Sequence, residues 1–155
     1  MARRRGPRQG SNLLNTTLNV ISRSLSSAPF IILVALAIYS HHNPSLLTKF
    51  IEKLQAAPVL KPLGDFLNGK ANQTNGFIAL CGAALSLPSL YQIGAVVLSG
   101  FYAFEITKST TALRDYICIA ALTLVFFRAR TIQVRAVVVL LAIILISYDV
   151  LTLPK

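Results

Sequence analysis

Acid is scarce in this chain. Five Asp and Glu stand against fifteen Lys and Arg in 155 residues, and charged side chains make up only 13% of the sequence. General acid–base chemistry needs titratable groups converging on a reacting atom. Here Glu105, Asp115 and Asp149 fall at the edges of apolar runs, where pairing with Lys108 or Arg114, or plain hydration, accounts for them. No catalytic constellation is present, and no enzymatic activity is expected. Histidine is limited to the adjacent His41 and His42. Neighbouring residues point in different directions from a helix, and no Cys or acid stands at ligand spacing, so no metal and no cofactor are expected. Cysteine is limited to Cys81 and Cys118, each inside an apolar segment, where a thiol packs as a small hydrophobe and has no reason to be oxidised.

What is present is apolar surface, 54% of residues, more than the remaining polar residues can cover in a soluble globule. The chain therefore reads as an integral membrane protein. A secretory signal peptide also pairs a basic start with an apolar run. In this chain about twenty polar-to-mixed residues separate the two, and Tyr39-Ser40-His41-His42 is a poor cleavage site. A retained anchor is expected instead.

The expected fold is all-α: a polytopic integral membrane protein with four to five short transmembrane helices and an amphipathic interfacial helix. Residues 1–11 form a flexible basic arm and 12–155 a single helical membrane domain. Its apolar segments run over about 24–40, 76–87, 89–104, 116–127 and 132–148. Before the first of them, Leu14, Leu18, Ile21 and Leu25 share one helical stripe, as a juxtamembrane helix would. After it, Asn43-Pro44-Ser45 starts a helix and Ala57-Pro58 stops it, giving an amphipathic helix at about 45–57. Leu46, Leu47, Phe50, Ile51 and Leu54 fill one arc of that helix, with Lys49, Glu52 and Lys53 opposite, so it suits a membrane surface or a partner protein. PVLKPLGDFLNGK then reads as an irregular connector.

The run from Gly76 to Phe104 is 29 uncharged residues with Pro88 near its centre. As one helix it would span about 43 Å and need strong tilt; as a hairpin it gives two compact spans. Tyr91 and Gln92 favour the hairpin. The five tyrosines, Tyr39, Tyr91, Tyr102, Tyr116 and Tyr148, then all sit at segment ends, where amphipathic rings suit the lipid–water boundary. The last two segments are so short that they reach about 30 Å only if flanking Arg114, Asp115, Arg128 and Arg135 snorkel or line up at the interface; a shallow, re-entrant arrangement is the alternative. Gly82 with Ser86, and Ala95 with Ser99, are small-residue pairs that permit close helix approach. Of the glycosylation triplets at Asn15 and Asn72, only Asn72 would face the translocated side.

Cationic density sits in two places. Arg3, Arg4, Arg5, Arg8 and Arg23 precede the first acid, and Arg128, Arg130 and Arg135 cluster between the last two segments. A hairpin at Pro88 puts both clusters on one side, satisfying the positive-inside tendency. Arg3, Arg4, Arg5, Arg8, Arg128, Arg130 and Arg135 are therefore the candidate contacts, either to anionic lipid or to RNA phosphates through counterion release.

A basic RRRGPR at positions 3 to 8, several short spans from Pro29 onward and DYICIAALTLVFFRARTIQVR at 115 to 135 together resemble the virion membrane protein family of negeviruses, cileviruses and related plant and insect RNA viruses. The resemblance implies an abundant structural protein of a viral envelope. It would be inserted through host endoplasmic reticulum or another internal membrane and be without enzymatic activity. The expected partners are the bilayer, further copies of the chain in an oligomer or lattice, genomic RNA and a viral glycoprotein. Two other classes stay open: a small pore-forming or transporter-like membrane protein, and a membrane adaptor that uses the amphipathic helix.

Overall fold

The computed structural model describes residues 9–148 and Leu151, with side chains from residue 13 onward. Among these residues every regular element is a helix. In chain order they are α1 (Gln9–Leu25), α2 (Ala28–His42), α3 (Pro44–Ala56), α4 (Lys61–Leu67), α5 (Ala71–Leu85), α6 (Ser89–Phe101, continued by a π-helical turn over Tyr102–Ile106), α7 (Leu113–Arg128) and α8 (Ile132–Ser147). The last three residues of the expected arm thus belong to α1. Asp149 lies outside the described residues.

α1 and α2 meet at 62° across Ser26 and Ser27. Pro29 enters the first turn of α2, where its missing N–H breaks no intrahelical bond, but it could not have continued α1. The face of α1 that packs inward carries the buried Thr17 and Ser24, while Leu14 and Leu18, from the expected apolar stripe, stand 67% and 61% exposed. The first half of the stripe turns outward, as on a helix that lies on a membrane surface, while Leu25 at its end packs against the core.

α5 is the hub, packing against α2, α7 and α6. Small residues make it so. A Cβ at Gly82 would come 3.2 Å from the backbone of Phe30, and one at Gly76 would stand 2.5 Å from the Tyr116 ring. Ala79, Ala83 and Ala84 are buried alongside. In lipid, where apolar burial does not drive helices together, such close approach supplies the van der Waals contact that does. The Gly82–Ser86 pair therefore serves packing within the chain.

α5 begins five residues before the expected apolar segment, with Gln73, Thr74 and Asn75 buried. Thr74 Oγ1 donates back to Lys70 O at 2.9 Å, and the loop before α7 supplies partners for Gln73 and the neighbouring Asn72. Gln73 Nε2 donates to Thr107 O at 3.0 Å and Asn72 Nδ2 to Ser109 O at 2.9 Å. Thr107 Oγ1 also bonds the Tyr116 hydroxyl. Tyr116 is 0% exposed, so it is a core residue and not the boundary ring expected of it, whereas Tyr39, Tyr91 and Tyr148 are exposed.

The chain turns between α5 and α6 at Leu87-Pro88-Ser89, as the hairpin reading expects. Gln92 Nε2 secures the turn by donating to Leu85 O and Leu87 O, each at 3.0 Å, satisfying carbonyls that the end of α5 leaves open. The expected irregular connector after α3 instead contains α4. Gly64 lets it lie against α3, where a Cβ would meet Gln55 N at 2.9 Å. Leu47, Ile51 and Leu67 form the shared core, and Gln55 Nε2 donates to Asp65 Oδ1 at 2.9 Å. The amphipathic arc of α3 is thereby split, with Leu46 and Phe50 still exposed.

Ser89–Ile106 is the one described helix that is by itself long and apolar enough to cross a bilayer, and only 6% of it is buried inside the fold. It is therefore not the core helix of a globule. α1 and α2 pass the same test together as a bent pair. α2 and α5 have 15 residues, α7 and α8 have 16. At about 1.5 Å per residue each covers roughly 22 to 24 Å, less than a hydrocarbon core of about 30 Å.

Gly76→Ala is expected to destabilise the detergent-solubilised protein by about 1–3 kcal/mol, the usual cost of overpacking, because the new methyl overlaps the Tyr116 ring. Gly94→Ala, with nothing within 4 Å of its Cβ, should leave stability nearly unchanged. Unfolding in a denaturing-detergent titration compares the two.

Candidate basic interface

α1, α5 and α7 end at the same end of the bundle, and one side chain joins them. Arg128, the last residue of α7, donates from Nη1 to Arg23 O at 3.0 Å and from Nη2 to Ser86 O at 2.8 Å. Arg23 lies in the last turn of α1 and Ser86 caps α5. Terminal carbonyls have no intrahelical donor and carry the negative end of the helix dipole, so a guanidinium fork answers both needs. Beside it, Ser27 Oγ donates to Ser86 Oγ at 2.8 Å, and Ser86 Oγ donates to Gly82 O at 2.7 Å. The break between α1 and α2 is thus tied to the end of α5.

The remaining loop arginines behave differently. Arg135 Nε donates to Ala129 O at 3.0 Å, and its guanidinium stands 5.5 Å from the Phe126 ring centre, so it holds the turn between α7 and α8. Arg130 is exposed. Together with Arg23 and Arg128 it lines a cleft of about 550 Å³ between α1 and the turn from α7 into α8. Thr16, Val20, Ser24, Thr131 and Val134 complete the lining, and no acid is among them. Arg3, Arg4, Arg5 and Arg8 lie outside the described residues.

The structure therefore brings Arg23, Arg128 and Arg130 together and sets Arg135 to one side. Ser24 was not foreseen as part of this site; the available signal was its position seven residues after Thr17, on the same helical face. Elsewhere, Arg114 Nε lies 3.4 Å from Asp115 Oδ1, the pairing expected of that carboxylate. Cys81 and Cys118 are free and half-buried. Asn72, the eligible glycosylation acceptor, commits its amide to Ser109 O. Among the described residues no three His, Cys, Asp or Glu side chains converge.

A family model described as "putative virion membrane protein of plant and insect virus", SP24, matches residues 9–154. The chain belongs to this family. An SP24 protein is a component of the virion membrane, and that accounts for the apolar exterior of α2, α6 and α8, where large side chains such as Ile32, Ile93 and Ile143 are more than half exposed. No curated protein and no solved structure matches the chain.

Replacing Arg128 by Gln is expected to destabilise the fold by about 1–3 kcal/mol. It removes two charge-assisted bonds that are partly open to solvent and leaves two helix-end carbonyls without a donor. Arg130→Gln should be near neutral. Protease protection of the Ser26–Ser27 junction in detergent reads the difference directly, with Arg128→Gln cut faster.

Proposed function

We propose that this SP24 protein is a multi-pass structural protein of a viral envelope, without enzymatic activity, whose five apolar helices α2, α5, α6, α7 and α8 cross or enter a thin bilayer. In this arrangement the arm, the α1–α2 junction, the Pro88 turn and the α7–α8 loop share the inner face. The α3–α4 pair, the loop before α7 and the end of α8 lie on the outer face. The observation that carries the reading is the bond from Arg128 to Arg23 O, which holds the amino-proximal basic segment beside the loop containing Arg130 and Arg135. A shared inner location for both basic clusters agrees with the positive-inside tendency.

Lateral packing of copies through the exposed faces of α6 and α8 would build the shell, with a viral glycoprotein as a further partner. Insertion would take place in host endoplasmic reticulum or another internal membrane. The inner face would meet genomic RNA through Arg3, Arg4, Arg5 and Arg8, with Arg130 open to the phosphates of RNA or lipid. Arg128 and Arg135 support that face from within, since their donors are engaged with Arg23, Ser86 and Ala129 carbonyls.

Density-gradient flotation of material from expressing cells tests this. The protein, lipid and RNase-protected RNA should peak together, and detergent should separate them. Replacing Arg3, Arg4, Arg5 and Arg8 by Gln should lower the protected RNA, most strongly at low salt, since each lost single-strand phosphate contact makes the log–log salt slope shallower by about 0.7. RNA protection that survives the four replacements unchanged would sink the role given to the arm. Release of the protein from membranes by alkaline carbonate would sink the multi-pass reading.

A further inference from the structure

We infer that the cleft between α1 and the α7–α8 turn is a binding site for the phosphate of an anionic phospholipid. The inference rests on the proposed membrane placement of this end, but not on any role in virus assembly.

Four features of the cleft converge. Arg23, Arg128 and Arg130 bring three guanidinium groups to one cavity of about 550 Å³ with no acid in its lining. Arg128 spends its two terminal nitrogens on helix carbonyls, so it adds fixed charge, while Arg23 and Arg130 are exposed and can swing onto a ligand. Ser24 also lines the cleft. It is fully buried, yet its hydroxyl has no hydrogen-bond partner. Thr17, two turns earlier on the same face, bonds back to Leu13 O at 2.9 Å, whereas Ser24 makes no such bond to Val20. A buried hydroxyl without a partner is costly unless a ligand completes it. Finally, α8 begins at the cleft: Thr131 is its N-cap and Val134 sits in its first turn, so the positive end of a 16-residue helix faces the same space.

The surroundings favour a lipid over a polynucleotide. From Ala136 to Ile146 α8 is apolar, with Val139, Leu140 and Ile143 exposed along it, and these would lie against acyl chains whose headgroup sits at Ser24. Leu14 and Leu18 on α1 are exposed as well, which suits burial at the headgroup level. RNA would want a row of outward cations, whereas here a single concave site holds one buried hydroxyl. Two exposed arginines that close on one phosphate match a headgroup.

The experiment uses the full chain in a zwitterionic detergent, titrated with short-chain phosphatidylglycerol, short-chain phosphatidylcholine, inorganic phosphate and a single-stranded RNA oligonucleotide, with binding followed by native mass spectrometry and 31P NMR. Phosphatidylglycerol should bind with a stoichiometry of one and more tightly than phosphatidylcholine or phosphate. Arg23→Gln with Arg130→Gln should weaken it about tenfold or more, the change expected for loss of charge-assisted hydrogen bonds. Ser24→Ala, which keeps the charge and leaves no unmet hydroxyl, should weaken it several-fold while raising thermal stability. Equal affinity for phosphatidylcholine overturns the proposal, as does phosphatidylglycerol binding untouched by both variants. RNA that displaces the lipid and depends on the same three residues also overturns it, in favour of an RNA site, and binding by phosphate alone reduces the cleft to a simple anion site. Because these readouts are taken in detergent, a failure here leaves carbonate resistance intact, and a failure of membrane insertion leaves these affinities unaffected.

Discussion

The guanidinium of Arg128 between the carbonyls of Arg23 and Ser86 is the constraint on which the rest depends. In a bilayer, helices have little apolar incentive to associate, and polar ties together with close contact of small residues must do that work. Arg128 closes two helix ends with one side chain and sets three elements in register. Without it α1 could swing away from α7, and the amino-proximal basic segment would have no fixed relation to the α7–α8 loop. At the far end the Gln73–Thr107 and Asn72–Ser109 bonds play the matching part. α5 is pinned at both ends and packed through Gly76 and Gly82 between them.

This division of labour explains the charge pattern. Arginine is costly inside a membrane and is tolerated at its edge, where the stem stays apolar and the head reaches water or carbonyls. Of the four described arginines at this end, Arg128 and Arg135 are engaged with backbone carbonyls, and Arg23 and Arg130 are left exposed on either side of the cleft. Neighbours of identical chemistry thus divide into two that tie the backbone and two whose guanidinium groups stay open at the cleft.

Much of the helix framework was legible because local rules act locally. Asn43-Pro44 and Ala57-Pro58 bracket α3 within a residue or so, and Pro88, with Tyr91 and Gln92 after it, marked the hairpin that Gln92 in fact secures. The face that α1 buries was not legible, since periodicity located an apolar stripe whereas the buried positions are the polar Thr17 and Ser24. Nor was the polar start of α5, because Gln73 is satisfied by Thr107, thirty-four residues away. Tyr116 looked like a boundary ring by position; Gly76, forty residues earlier, is what makes room for it in the core. α4 was hidden by Pro62 and Gly64, which ordinarily interrupt helices, but here Pro62 occupies the first turn and Gly64 lies against α3. For the arginines, composition could identify a basic end but could not tell a guanidinium that binds carbonyls, as Arg128 does, from one left exposed, as Arg130 is.

In the proposed topology both basic clusters share one face of the membrane. The most direct test of this is labelling of single cysteines by a membrane-impermeant maleimide in sealed microsomes, in a Cys81→Ala, Cys118→Ala background. Ser22→Cys and Gln133→Cys should react in intact microsomes, while Val59→Cys and Ser109→Cys should react only after permeabilisation. Reaction of Ser22→Cys and Gln133→Cys from opposite sides would contradict this topology.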